Sequence, residues 1–316
     1  MFAARGIAVS LSVFVLVYCV LSIAVSFTWW RFWEYSRKYP IRHTADLLFS
    51  FRMFPLVAAA VITAAFTVPS FLLLEPRAID EPLGGFPLAL GLCGAVLGLI
   101  GLVNAGTALG KASRAITTWT SEAQPICTGT PIPVLRIARP LPAMTVAGIV
   151  SARVLVSHSA ESMLTANEMQ TALKHEVAHV SRRDNLKKLL LRFVAFPGMR
   201  GLEGAWLEAT EMAADDAAVA SASEALDLAA ALIKLSQLGA VEPSVDLTAA
   251  LVHSPAAVMN ARVERLLAWT ESGRMPIRRH SSWYGLAAAL ATIAVFSVTY
   301  TQLLTHLHTA TEWLVR

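Results

Sequence analysis

The sequence predicts a mainly α-helical membrane protein, in which four transmembrane helices carry a mostly helical cytoplasmic domain with a small β element. The composition is the first indication, because 55% of the 316 residues are hydrophobic and only 15% are charged, far from the usage of a soluble domain. The second is a set of four long apolar runs. The third is a polar region before the last run, where proline-rich and β-branched sequence is followed by helical periodicity.

The four apolar runs are each about 20 residues or longer, which is the length a helix needs to cross a hydrocarbon core of about 30 Å. They cover approximately residues 7–29, 55–74, 86–109 and 284–304. We therefore predict a membrane region over 1–109, a cytoplasmic domain over 110–283 and a short extracytoplasmic tail over 305–316.

Basic residues indicate the orientation, because cytoplasmic loops carry an excess of Lys and Arg. Between the first two runs lie Arg31, Arg37, Lys38, Arg42 and Arg52, so we expect this loop inside. The pattern predicts both termini outside a bacterial inner or plasma membrane. The net charge of +4 comes from residues beside apolar runs, and we predict a lipid bilayer partner and no direct nucleic acid binding.

The polar region opens with PICTGTPIPVLRIARPLP, residues 125–142, whose prolines favour extended or turn structure. The following TVAGIVSARVLVS is typical of one or two short strands with a turn near Ser151. This stretch is the candidate exposed edge to which an extended peptide would add as a strand, and a hairpin buried in the core is the alternative. The β element therefore comes before the helices.

A helix begins at a capping box formed by Thr165 and Glu168. It carries HEVAH, and we expect it to continue through RRDNLKKLLLRFVAF to a stop at Pro197 and Gly198. Further helices are predicted over about residues 204–220, 223–238 and 256–269.

The HEVAH stretch has the spacing of a metal site. His175 and His179 are four residues apart and share one face of a helix, so both imidazoles can reach a single Zn²⁺ ion. Glu176, on the adjoining side, would be the general base that takes a proton from water. A solvated amphipathic helix that happens to carry two histidines is the alternative.

A hydrolytic zinc site needs a third protein ligand and an open position. The later stretch WLEATEMAADDAAV supplies Glu208, Glu211, Asp215 and Asp216 as candidates. Glu211 and Asp215 share a face, so one can bind the metal while the other orients a ligand histidine. Glu208 lies on the same face, and spacing alone does not choose between these acids.

HEVAHVSRRDNL followed by EMAADDAAV resembles the BlaR/MecR type of integral membrane zinc metallopeptidase, a gluzincin family. The resemblance covers the predicted cytoplasmic region, from TANEM to NARVERLL. It implies that His175, His179 and Glu211 bind one Zn²⁺, with Glu176 as catalytic base and Asp215 as a supporting partner. Similarity to heat-shock and prenyl-protein membrane proteases makes His253 and Arg262 candidate transition-state stabilisers.

The resemblance implies a zinc endopeptidase that cleaves a protein substrate on the cytoplasmic side, such as a BlaI/MecI-like winged-helix repressor. Only TQLLTHLHTATEWLVR remains from the end of the last predicted span onward, so we expect no penicillin-binding sensor domain of the kind that antibiotic sensors carry there. Two alternatives stay open. One is a quality-control protease for membrane proteins, and the other is a non-catalytic scaffold or signalling partner that keeps the fold.

Overall fold

A computed structural model describes most of the chain. The described residues are 2–36, 40–75, 84–138, 143–194, 196, 198–238, 249–250, 256–272, 300, 302, 304–306 and 309. Within them the protein is mainly helical, with one small mixed sheet. Two compact units are present. The first comprises Met1–Trp30, Ser50–Ile100 and Ile277–Arg316, and the second comprises Arg31–Phe49 and Gly101–Pro276.

The N-terminal part of the chain forms three long apolar helices. Helix α1 spans Phe2–Ser36, and α2 spans Ile41–Ile62 and continues through a π-helical turn, Thr63–Thr67, into α3, Val68–Leu74. Helix α4 spans Gly85–Thr120. The segments Phe2–Arg31, Ile41–Leu74 and Gly85–Thr120 are long and apolar enough to cross a membrane, in agreement with the first three predicted spans. The fourth predicted span, 284–304, falls almost entirely outside the described residues.

A small sheet follows α4. Its strands are β1, Gln124–Ile126; β2, Val134–Ile137; β3, Met144–Ala147; and β4, Arg153–Ser157, with a two-residue strand β5, Ala249–Ala250. The order is β1-β2-β4-β3-β5. Strand β4 is central, parallel to β2 and antiparallel to β3, because its VLV core is buried on both faces.

The expected strand pair is confirmed, but its expected role as an exposed edge is wrong. Strand β4 is paired on both sides, and β3 pairs with β5 through Thr145 and Val146. The hairpin between β3 and β4 turns at Gly148, whose φ of +96° is one that L side chains rarely adopt. A Cβ at Gly148 would also lie 2.5 Å from the carbonyl oxygen of Ser151, so glycine is required here.

Two helices follow the sheet. Helix α5 spans His158–Met163 and α6 spans Ala166–Ser181. The predicted capping box opens α6: the backbone N–H of Glu168 donates to Thr165 Oγ1, and the backbone N–H of Thr165 donates to Glu168 Oε2. The buried face of α6 includes Leu173, which packs in one core with β3, β4 and the later helices.

The predicted uninterrupted helix from Ala166 to Pro197 is wrong. Helix α6 ends at Ser181, and a separate helix α7 spans Asp184–Phe193. Arg183 between them has φ of 55°, in the left-handed region. The break lets the Asn185 amide donate to the carbonyl oxygens of Val146 and Gly148, and it buries Asp184. These contacts offset the backbone cost of a left-handed arginine.

The last described helices cover the site. Helix α8 spans Arg200–Ala218, α9 spans Ala222–Ser236 and α10 spans Ala256–Ser272. They agree with the three predicted helices, although α8 begins earlier and includes two glycines. Helix α6 packs against α8 and α9, and α10 packs against both. The metal-ligand candidates of α6 therefore lie on a helix that packs against α8 and α9.

Candidate metal centre

Helix α6 brings the two histidines of HEVAH together, as their spacing predicts. His175 and His179 are both buried, and their Nε2 atoms lie 3.1 Å apart. Glu176, also buried, lies between them in sequence on the adjoining part of the helix. The two imidazoles thus present one nitrogen each to the same point.

Helix α8 supplies the third group. Glu211 Oε2 lies 3.6 Å from His175 Nε2, and Glu211 Oε1 lies 3.7 Å from His179 Nε2. Tetrahedral zinc with ligands at about 2.0 to 2.1 Å holds neighbouring donor atoms roughly 3.3 Å apart. The three residues are the one group within the described part of the chain that could hold a metal ion, with ligand atoms within 4.8 Å of one another. Among the predicted alternatives, Glu208 does not belong to this group, and Asp216 pairs with Arg265.

Each histidine has a carboxylate at its outer nitrogen. Asp215 Oδ1 lies 2.9 Å from His175 Nδ1, which is the supporting position expected for Asp215. Asp184 Oδ2 lies 2.8 Å from His179 Nδ1. The contact at His179 has hydrogen-bond geometry. A carboxylate that accepts a hydrogen bond from Nδ1–H leaves the Nε2 lone pair for a metal ion and fixes the ring, as in many metal sites.

Asp184 is a residue of the site that the sequence reasoning did not identify. An uninterrupted helix would place it five residues after His179, well off the ligand face. The helix break after Ser181 instead places its carboxylate beside Nδ1 of His179. The pair Asp184-Asn185 is a signal of this break, because Asp and Asn favour helix starts over helix interiors.

Arg262 of α10 lies behind the acids of α8. Its Nε and Nη2 donate to the two carboxylate oxygens of Asp215 at 2.8 and 2.7 Å, and its Nη1 lies 3.1 Å from Glu211 Oε2. The guanidinium is fully buried, so in this arrangement it holds carboxylates rather than facing open space. His253, the other candidate stabiliser, lies outside the described residues.

Burial and charge set the protonation of these groups. Burial raises the pKa of Glu176 to about 8; the nearby Glu211 carboxylate adds to this and His179 opposes it. Burial would also raise the pKa of Glu211, but His179 and Arg262 outweigh it and lower that pKa to about 2. The pKa of Asp215 is likewise depressed against burial, mainly by Arg262. Glu211 and Asp215 are therefore anionic at neutral pH.

The environment of Glu176 fits a site that takes a cation and water. Neither carboxylate oxygen of this buried side chain has a hydrogen-bond partner among the described residues. Buried polar atoms are usually paired, so such an atom calls for a specific explanation. Two imidazoles with converging nitrogens and an anionic Glu211 are together a donor set suited to a divalent metal ion.

Comparison with models of known protein families gives no match, and no curated protein matches the sequence significantly.

Proposed function

We propose that this protein is a membrane-anchored metallopeptidase that hydrolyses peptide bonds with His175, His179 and Glu211 as metal ligands and Glu176 as general base. The convergence of these three ligand candidates beside a buried, unpaired glutamate is the observation that carries the proposal. The three apolar helices support membrane anchoring. The resemblance of HEVAHVSRRDNL and EMAADDAAV to the BlaR/MecR metallopeptidases points to the same class.

Zinc is the metal we propose, because two imidazoles and one carboxylate form a common catalytic zinc set. The bound ion would supply a Lewis acid that polarises a peptide carbonyl and makes water more acidic. Glu176 would accept the proton of the attacking water and pass it to the leaving amine. Burial raises the pKa of Glu176, and the charge of a bound divalent ion would lower it again, so that the carboxylate could take up this proton.

Asp184 and Asp215 would keep both imidazoles in the tautomer that binds metal through Nε2. Arg262 would keep Asp215 and Glu211 ionised in a buried setting. In this proposal Arg262 has a structural role: it binds Glu211 and Asp215 and does not contact the substrate.

We propose that the site faces the cytoplasm and cleaves a regulatory protein such as a winged-helix repressor. The excess of basic residues between the first two apolar runs supports this orientation. The substrate class is inferred from the family resemblance. Membrane-protein quality control is the competing use of the same chemistry.

Metal content and proteolysis of the purified full chain test the proposal. The wild type should bind close to one equivalent of Zn²⁺ and cleave casein, and chelation should abolish cleavage. Glu176→Gln should keep the metal and lose cleavage, because the amide cannot accept the proton. Glu208→Gln, on the same helix as Glu211, is the matched control and should behave as wild type.

Wild-type protein without bound zinc would favour the non-catalytic scaffold, and full activity in Glu176→Gln would reject the mechanism. The same variant can trap substrates in cells. One dominant soluble regulator among the trapped proteins would support signalling proteolysis. Many membrane-protein fragments would support quality control.

A further inference from the structure

Two cations at the junction of α6 and α7 each lie between two carboxylates. Arg182 Nη2 lies 3.4 Å and Lys187 Nζ lies 3.0 Å from Asp46 Oδ1. On their other side, Arg182 Nε lies 3.7 Å and Lys187 Nζ 3.9 Å from Asp184 Oδ1. The same pair of cations thus contacts Asp46 of α2 and the carboxylate that binds His179.

These four charges become more exposed with distance from the metal centre. The side chain of Asp184 is 0% exposed, Arg182 7%, Lys187 19% and Asp46 50%. Interactions at the buried end are the least screened by water and salt. A change of charge at Asp46 therefore alters the two cations that contact Asp184, a carboxylate whose electrostatic interactions are weakly screened.

Helix α2 holds Lys187 by a second contact as well. The Lys187 ammonium lies 5.5 Å from the centre of the Phe49 ring, and Phe49 is three residues after Asp46, on the same face of α2. A cation over an aromatic face is attracted to it. Asp46 and Phe49 together keep the ammonium drawn toward α2 and partly away from Asp184.

The contacts described here join two cations and two carboxylates, and the buried Lys188 is a further cation near Asp184. Without the charge of Asp46, both cations would turn more fully to Asp184 Oδ1. The Asp184 carboxylate would then be a weaker acceptor for the Nδ1 proton of His179, and the imidazole would be a weaker metal ligand. The surplus positive charge would also oppose the approach of a divalent cation.

We propose that Asp46 is a positioning residue for the metal centre, which it tunes through Arg182, Lys187 and Asp184. The proposal rests on the proposed function in that His179 must bind a metal ion. Asp46 lies on α2 ahead of the predicted span 55–74, in the same compact unit as the histidines.

Zn²⁺ affinity of the purified full chain, measured by competition with a chromophoric chelator, tests the proposal. Asp46→Asn should weaken Zn²⁺ binding about twofold to fivefold, the range of a partly exposed charge pair, and Asp46→Glu should restore it. Lys187→Met removes one cation from the same group and should strengthen Zn²⁺ binding. Opposite signs are the signature of a charge effect, because a merely structural contact would lose affinity in both variants.

Glu161→Gln is the matched control, because Glu161 pairs with Arg136 on a partly exposed surface and does not belong to the group that could hold a metal ion. It should leave the affinity unchanged, and Co²⁺ spectra should differ from wild type only in Asp46→Asn and Lys187→Met. Wild-type affinity in Asp46→Asn, or loss of affinity in Lys187→Met, would overturn the proposal while the metal site stands. A wild-type chain that binds no Zn²⁺ would overturn both.

Discussion

Asp184 Oδ2 lies 2.8 Å from Nδ1 of His179, across the break that separates α6 from α7. Asp215 occupies the equivalent place at His175, 2.9 Å from its Nδ1. The two histidines are therefore oriented by carboxylates from different helices, one just after the motif and one from α8. Burial would lower the pKa of His175, but Asp215 and Glu211 outweigh burial and raise it.

Replacing Asp184 by Asn should weaken Zn²⁺ binding about 10- to 100-fold, as for other partners of ligand histidines. The amide oxygen of Asn can still accept a hydrogen bond from Nδ1–H of His179, but it lacks the negative charge that makes the imidazole a better metal ligand. Chelator competition on the purified protein measures the loss. Asp216→Asn, which alters an acid that pairs with Arg265, should change the affinity little, and equal losses in both variants would contradict a specific role for Asp184.

Arg262→Met should destabilise the fold by about 3–5 kcal/mol, because it leaves Asp215 and Glu211 as buried carboxylates without their cation. Arg265→Met removes a more exposed partner, that of Asp216, and should cost no more than about 1 kcal/mol. Thermal unfolding in detergent compares the two variants. Similar unfolding midpoints for both variants would show that Arg262 does not compensate the charges of Asp215 and Glu211.

Much of the site followed from local sequence patterns. The i, i+4 spacing of His175 and His179, and the capping box of Thr165 and Glu168, are properties of one helix and need no tertiary information. Spacing alone left Glu208 and Glu211 as alternatives, and the choice of Glu211 came from the family resemblance. In the structure, the packing of α8 against α6 brings Glu211 to the imidazoles.

The pair Asp184-Asn185 is the local signal of the break after Ser181, because neither Gly nor Pro occurs between His179 and Phe196. The break depends on contacts that form only in the folded chain, namely those of Asn185 with the β3–β4 hairpin and of Asp184 with His179. The interior position of β4 likewise depends on β2. This strand precedes β3 in the chain and pairs with β4 on the side opposite to β3. Long-range pairing of this kind has no local signature.

Gly148→Ala should destabilise the protein more than Gly129→Ala. Both glycines have positive φ, 96° and 68°, and a left-handed backbone costs an L residue about 1–2 kcal/mol. A Cβ at Gly148 would in addition meet the Ser151 carbonyl at 2.5 Å, whereas one at Gly129 would meet nothing within 4 Å.

The Gly148 variant should also bind Zn²⁺ less well, because the Gly148 carbonyl accepts from Asn185, next to Asp184. Unfolding midpoints and chelator competition measure the two effects. Equal midpoints for the two glycine variants would show that the turn relaxes around the added methyl group.

Glu168 should make the stability of the second unit depend on acid pH. Burial tends to raise its pKa, but Lys234 and the backbone of Thr165 outweigh burial and lower it. A carboxyl group with a depressed folded-state pKa stabilises the fold above its unfolded pKa of about 4.3, and it loses this contribution as the pH falls through the folded-state value.

Glu168→Gln keeps an oxygen for the capping box, so it removes the charge and little else. The unfolding midpoint of Glu168→Gln should therefore be lower than that of wild type at pH 7, and the difference should shrink as the pH falls below about 4. A difference that stays constant down to pH values near 2 would assign the effect to side-chain packing instead of to the ion pair with Lys234.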